Sequence, residues 1–247
     1  MKKYGLLGFP LSHSFSPQYF NQKFEAEQIK EAEYLKFEMD TIENIRKEFA
    51  SIPNLVGFNV TIPYKQKIIP FLDDLASVTT EIGAVNTVKI EDGKWVGYNT
   101  DVIGFEKALV QFLQYNNRNP TLNALVLGDG GASKAVYFVL QKLGIPYLKV
   151  TRNQQKDALT YDAITHDILQ STHLIINTTP LGTYPNISEA PSLPYNSLTA
   201  RHLLFDLVYN PSVTTFMQKG IDAGCKVENG YQMLVEQAEA AWRIWEG

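Results

Sequence analysis

Residues 124–144 read ALVLGDGGASKAVYFVLQKLG. The apolar run ALVL has the length and composition of a buried strand. It passes through glycines at 128, 130 and 131 into a helix-length amphipathic segment over about 134–143 that Gly144 ends. Strand, glycine turn and helix in that order form the context in which a glycine-rich turn holds a dinucleotide. Gly128 permits the tight turn, and Gly130 lets the backbone approach a pyrophosphate. The helix start offers unpaired N–H groups and the positive end of its dipole. The third glycine position is Ser133, preceded by Ala132, so the match is to a variant of the fingerprint. A tight strand-to-helix turn without a ligand is the alternative. Asp129 is out of place beside a pyrophosphate unless it points to solvent.

The next strand, 147–150, runs into Thr151-Arg152-Asn153 without the acidic residue that contacts the ribose hydroxyls of NAD. Arg152 can stack on adenine and pair with a 2′-phosphate, which favours NADP; an ordinary solvated arginine is the alternative. Outward from this centre, apolar runs at 174–177 and 203–208 read as further buried strands. Ser212 reads as the cap of a helix to about 223, and 231–245 as a long last helix.

The first half also alternates strand and helix. Strands are expected at 4–9, 34–39 and 57–62, and a hairpin over 84–99 turns at Asp92-Gly93. Helices are expected from Ser16-Pro17 (Ser16 as N-cap, with Phe20, Phe24 and Ile29 facing inward), from Thr41 to Ala50, from Pro63 until Pro70 interrupts it, over 73–82 until Gly83, and over 102–115. Such alternation implies parallel sheets covered on both faces. We therefore expect two α/β domains: a substrate-binding, catalytic domain over 1–101 and a Rossmann-type dinucleotide-binding domain over 102–230. Helix 231–247 would return to the first domain, and a cleft between the domains would hold the site.

The 247 residues are 45% hydrophobic and 19% charged, with a formal net charge of -4, which suits a folded chain and disfavours a nucleic-acid surface. Cys225 is the one cysteine, so an intramolecular disulfide or a cysteine-based zinc site is excluded, and the thiol reads as a small buried hydrophobe. The histidines (His13, His166, His173 and His202) lack metal-ligand spacing, so no metal is expected. There is no apolar stretch of about 18 residues, and Pro10, Ser12 and His13 break the first apolar run too early for a signal peptide; a reducing cytoplasm is expected. Trp242 and Trp245 read as core or docking residues of the last helix.

Three segments of the first half carry candidate chemistry. In SHSFSP (12–17), Ser14 and Ser16 lie at a helix start suited to a small carboxylate, though Ser16 is equally an ordinary cap and His13 a loop residue. In NVTIPYK (59–65), alternation puts Asn59 and Thr61 on one face. Lys65 falls in the first turn of the expected helix, where it opposes the dipole and its pKa is pushed down towards acid–base use; a surface lysine is the alternative. In GAVNT (83–87) and GYNTD (97–101), Asn86 and Asp101 sit at element ends, Asp101 being equally a helix cap.

Taken in order, GFPLSHSFSP, NVTIPYK, IGAVNT, NTD at 99–101, GDGGASKAV, INTTPLG, FDLVYNP and GYQMLVEQA show that the chain resembles the shikimate dehydrogenase family over nearly its whole length. The resemblance implies NADPH-dependent, reversible reduction of 3-dehydroshikimate to shikimate by a monomer or homodimer. It implies that Lys65, paired with Asp101, is the acid/base group, and that Ser14 and Ser16 hold the substrate carboxylate. It further implies that Thr61, Asn86, Asp101 and Gln237 meet the hydroxyl side, with Tyr209 near the ring; Asn59, on one face with Thr61 by alternation, is expected to bind substrate as well. Residues 128–133 (Gly128, Gly130, Gly131, Ala132, Ser133) and Thr151, Arg152 and Asn153 match the cofactor contacts, with Thr178, Thr179, Val208 and Gly230 on the nicotinamide side. Two departures stand out: Asp129 where family turns commonly read GAGGA, and TRN where NRT-like segments are usual. The chain is also short for the family, through trimming between Gln154 and Ser171. A quinate/shikimate dehydrogenase with broader substrate or NAD use, a non-catalytic sensor of pathway ligands, and a methylene-tetrahydrofolate dehydrogenase-like enzyme are the competing readings. The intact Lys65, Asp101 and serine motif disfavour the last two.

Overall fold

A computed structural model describes residues 1–12, 14–116 and 122–247. It divides into two compact units, Met1–Ile103 with Gln237–Gly247 and Gly104–Glu236, and the chain passes between them within two helices. Among the described residues no helix is long and apolar enough to cross a membrane.

The first unit is built from β1 (Lys2–Gly8), α1 (Phe15–Ala26), β2 (Ala32–Glu38), α2 (Ile45–Ala50), β3 (Gly57–Val60), β4 (Asp74–Leu75), α3 (Ser77–Ile82), β5 (Thr87–Glu91) and β6 (Lys94–Tyr98). It also holds the first residues of α4 (Asp101–Tyr115) and the last of α8 (Tyr231–Glu246). The sheet order is β2-β1-β3-β5-β6-β4. It is mixed rather than parallel throughout: β2, β1 and β3 run parallel, while the β5–β6 hairpin attaches antiparallel to β3. Asp92 (φ 51°) and Gly93 (φ 76°) make the left-handed turn that a two-residue hairpin demands, so the Asp-Gly signal outranked the expectation of crossovers. Strand alternation sends Leu7 to one face, with Phe49, Phe58 and Trp95, and Tyr4 and Leu6 to the other, with Phe20, Phe24 and Trp245.

Several boundaries differ from those expected. Helix α1 starts at Phe15 with Ser14 as N-cap, so Ser16 lies inside the first turn, where Pro17 costs nothing because that N–H has no intrahelical partner. The Thr41 hydroxyl accepts only from the Glu43 N–H, and α2 begins at Ile45. No α-helix follows Pro63. Turns close by Tyr64 N–H to Thr61 O (2.8 Å) and Ile68 N–H to Tyr64 O (2.9 Å) lead into a single 3₁₀ turn, Ile69–Phe71. Prolines seven residues apart leave too little chain for a stable helix. Lys65 therefore stands on a turn, with no helix dipole to oppose it.

The second unit is built from the rest of α4, β7 (Ala124–Leu127), α5 (Gly131–Lys142), β8 (Tyr147–Thr151), β9 (Leu159–Thr160), α6 (His166–Ser171), β10 (Leu174–Asn177), β11 (Leu203–Asp206), α7 (Thr215–Asp222), β12 (Lys226–Glu228) and the start of α8. The sheet is parallel throughout, in the order β12-β11-β10-β7-β8-β9. This is the doubly wound order whose reversal, here between β7 and β10, opens a crevice at the strands' carboxyl ends. Leu125, Leu127, Ile175 and Leu204 cover one face with Phe216 and Met217, and Phe205 on the other stacks edge-on against Phe105 (5.3 Å). Helix α7 is capped by Thr214, whose hydroxyl accepts from Met217 N–H, and not by Ser212.

Trp245 ties α8 to the first sheet. Its Nε1 donates to Val88 O (3.0 Å), its ring lies 5.0 Å from that of Tyr4 and 5.5 Å from that of Phe20, and it is 3% exposed. Trp245→Ala should lower the unfolding free energy by about 3–5 kcal/mol in urea denaturation. A loss under about 1 kcal/mol would show that the helix end does not depend on this anchor.

Candidate active site

In the first unit the ends of β3, β5 and β6 deliver polar residues to one buried cluster, and Asn86 is its centre. Its Oδ1 accepts from Thr100 N–H (2.7 Å) and Thr87 Oγ1 (3.1 Å), and its Nδ2 donates to Asp101 Oδ1 (2.9 Å) and Thr100 Oγ1 (3.0 Å). Gln237 Oε1 lies 3.4 Å from both Asn86 Nδ2 and Thr100 Oγ1. The other Asp101 oxygen accepts from Lys65 Nζ at 2.6 Å. Asp101 opens α4, where a carboxylate is favoured by the helix dipole. The pair is mostly buried, with side-chain exposures of 23% and 12%, so a partner lost from either side leaves a charge that water does not fully solvate.

Asn59 stands behind this centre. Its Oδ1 accepts from Tyr34 (2.7 Å) and its Nδ2 donates to Asn86 O (3.2 Å) and Thr87 Oγ1 (3.0 Å). The Tyr34 phenol is fully buried, which pushes its pKa well up, and a hydrogen bond from Ser16 opposes that shift. Ser16 thus lies near the Tyr34 phenol, which donates to Asn59. Ser14 is half-buried at the N-cap of α1 and makes no capping bond, while Thr61 packs against Gly8, at a point where a Cβ would collide with it. His13 lies outside the described residues.

In the second unit the glycine turn opens a cleft of about 270 Å³ at the carboxyl ends of β7 and β10, lined by Gly128, Asp129, Gly130, Arg152 and Tyr161 and by residues 178–181. Gly128 has φ +104°, and a Cβ there would sit 2.8 Å from Thr178 Oγ1. A Cβ at Gly130 or Gly131 would meet no atom within 4 Å, so the turn's outer side is open to a ligand. Ser133 is buried and donates to Gly130 O (2.7 Å), so it holds the turn from within. Thr178 donates to Leu127 O, and Thr179 to Asn177 Oδ1, both at 2.7 Å. Thr151 is buried and donates to Asn153 O, shaping the loop that carries Arg152. Among the described residues no carboxylate lies within ion-pair distance of Arg152. A guanidinium without a carboxylate partner, beside an open glycine turn, fits a dinucleotide bearing a 2′-phosphate. Asp129 is exposed, and its Oδ2 accepts from Gln155 Nε2 (2.6 Å).

Val208 and Gly230 are joined by Gly230 N–H to Val208 O (3.2 Å), and a side chain at 230 would strike the Leu207 carbonyl. Tyr209 follows in the same loop; it is half-buried, and burial pushes its phenol up. Two contributors escaped the sequence reading. Tyr161 lies in a stretch without periodicity. Asp206 reads as one more residue of an apolar strand, yet it is fully buried and takes hydrogen bonds from Asn177 Nδ2 (2.9 Å), Val208 N–H (3.0 Å) and Thr214 Oγ1 (2.6 Å). Burial pushes its carboxyl up to about 6 against the pull of those donors.

Residues 6–88 match the model of the shikimate dehydrogenase substrate binding domain. The NADP(+)-dependent shikimate dehydrogenase of Desulforamulus reducens is 35% identical over 98% of this chain and 89% of its own length. The chain belongs to the shikimate dehydrogenase family. Among solved family structures, shikimate 5-dehydrogenase of Thermus thermophilus, in complex with NADP(H) and shikimate, aligns at TM-score 0.85 with 29% identity, over 100% of this chain and 94% of that one. Quinate dehydrogenase from Corynebacterium glutamicum, in complex with NAD, aligns at TM-score 0.88 with 25% identity, over 100% and 94%.

The Asp206 carboxyl makes this family member's stability pH-dependent. Its folded pKa of about 6 exceeds the unfolded value near 3.9, so its contribution is present at low pH and is lost as pH rises from about 4 to 6. Asp206→Asn keeps an acceptor for Asn177 and Val208 and removes that loss. Thermal unfolding from pH 4 to 7 should show the variant gaining on the parent by up to about 3 kcal/mol. Parallel curves would contradict the shift.

Proposed function

We propose that this chain is an NADP-dependent shikimate dehydrogenase, catalysing the reversible reduction of 3-dehydroshikimate to shikimate. The observation that carries the reading is the Lys65–Asp101 pair, fixed through Asn86 in the first unit. The second support is the Arg152 cleft of the second unit, whose residues suit NADP. The family assignment by a relative named for this activity supports it independently.

NADP, when bound, supplies or takes up the hydride. The chain's own residues bind, orient and handle one proton. Lys65 Nζ gives one hydrogen bond to Asp101 Oδ2, which leaves ammonium protons for an oxygen of the substrate. In the reducing direction the Lys65 ammonium donates a proton to that oxygen and becomes the neutral amine; in the oxidising direction the neutral amine accepts the proton of the substrate hydroxyl. Asp101 orients Lys65 and takes a substrate hydroxyl, with Thr61, Asn86 and Gln237 beside it. Ser14 and Ser16, at the opening turn of α1, hold the substrate carboxylate. Asn59 acts through Asn86, because its amide already bonds to Tyr34, Thr87 and the Asn86 carbonyl. Tyr209 closes on the ring. Gly128, Gly130, Gly131, Ala132 and Ser133 shape the pyrophosphate turn, and Thr151, Arg152 and Asn153 the 2′-phosphate side. Thr178, Thr179, Val208 and Gly230 flank the nicotinamide. A site that bonds this many hydroxyls can reject analogues lacking them by roughly 10⁴-fold. The buried Cys225 thiol, pushed up to about 11 by burial, suits a reducing cytoplasm, and the chain acts there as a monomer or homodimer.

Lys65→Ala should lower kcat by roughly 10²- to 10⁴-fold and change the KM for shikimate far less, as steady-state rates of NADP+ reduction would show. An unchanged kcat would remove Lys65 from proton transfer.

A further inference from the structure

The cleft of the second unit holds one carboxylate and one guanidinium, and they do not pair. Asp129 and Arg152 both line it, yet no ion pair joins them. Asp129 Oδ2 instead accepts from the neutral amide of Gln155 at 2.6 Å, a bond that orients the carboxylate without cancelling its charge. Gln155 follows Arg152 by three residues, so this bond draws the carboxylate towards the loop that carries the guanidinium. At the start of α5, Gly130 and Gly131 leave the backbone clear for the pyrophosphate. Tyr161, on the same wall, senses both charges: burial raises its phenol most, Arg152 opposes the shift and Asp129 adds to it.

We propose that Asp129 sets the cofactor selectivity of this chain. Held by Gln155 in the cleft that Arg152 also lines, its carboxylate disfavours the 2′-phosphate that Arg152 attracts, and so narrows the preference for NADP over NAD. The proposal rests on the NADP reading above. NAD and NADP share the pyrophosphate and differ in the 2′-phosphate, a phosphomonoester of roughly -1.5 to -2 charge at pH 7. Repulsion by a carboxylate on the Arg152 side therefore falls on NADP and leaves NAD nearly untouched. Because Asp129 is exposed, the repulsion is screened by salt.

The test is the dissociation constant of NADP+ and of NAD+ by isothermal titration calorimetry, for the parent chain, Asp129→Asn and Asp129→Ala. The exposed position makes both variants compatible with the fold, and the asparagine keeps the shape of the side chain. Both should bind NADP+ roughly three- to ten-fold more tightly, with NAD+ changed less than about two-fold and the NADP+ gain shrinking at high salt. Equal gains for both dinucleotides would place the carboxylate against the pyrophosphate and overturn the proposal. So would no change, or a weaker NADP+ complex, which would make Asp129 a support for the Arg152 loop. In each of these cases the parent still binds NADP+, and the NADP reading stands. A parent chain that binds neither dinucleotide would overturn both.

Discussion

Among the described residues Lys65 has one charged partner, Asp101, and nearly every polar residue of the first unit's cluster serves to hold that partner still. Asp101 offers one oxygen to Lys65 and the other to Asn86. Asn86 is fixed in turn by the Thr100 N–H, by Thr87 and by a scaffold that runs back through Asn59 and Tyr34. The arrangement is worth little as stabilisation, because a mostly buried ion pair spends much of its attraction on desolvation. Its value is geometric. An ammonium pinned by one bond keeps its other protons aimed in a defined direction, as proton transfer to a substrate oxygen requires.

The second unit follows a different constraint. Where the strand order reverses between β7 and β10, no crossover helix can cover both carboxyl ends, and the crevice left there is lined by the glycine turn and residues 178–181, with Arg152 and Tyr161. Gly128 must be glycine because its backbone is left-handed and Thr178 occupies the space of a side chain. The buried Asp206 ties the loops after β10 and β11 to one point, through Asn177, Val208 and Thr214. Loops fastened to a rigid sheet in this way can present a cofactor site at no cost in reorganisation.

Much of this was legible in the sequence. The glycine turn, the hairpin at Asp92-Gly93 and the strands β7 and β10 declare themselves through local chemistry and continuous apolar runs. The pairing of Lys65 with Asp101, 36 residues apart, came from resemblance to a family and from no local signal. Pattern reading failed where tertiary context decides. The mixed order of the first sheet is a matter of partner choice that periodicity does not encode. The segment after Pro63 holds Tyr64 and Ile68 at helical spacing because both plug the core, and the prolines still prevent a helix. Strands β4, β9 and β12 are two or three residues long, below any period. Asn59 is expected to face the substrate by alternation, and no local signal announces that its amide bonds Tyr34, Thr87 and the Asn86 carbonyl. The place of Asp129 was not legible either, since its carboxylate accepts from Gln155, 26 residues on.

The measurement closest to the centre of this account is the initial rate of nicotinamide reduction with shikimate or quinate, each supplied with NADP+ or NAD+. Fastest turnover with shikimate and NADP+ is the predicted result, with quinate slower by orders of magnitude. Comparable rates with quinate, or a preference for NAD+, would contradict it.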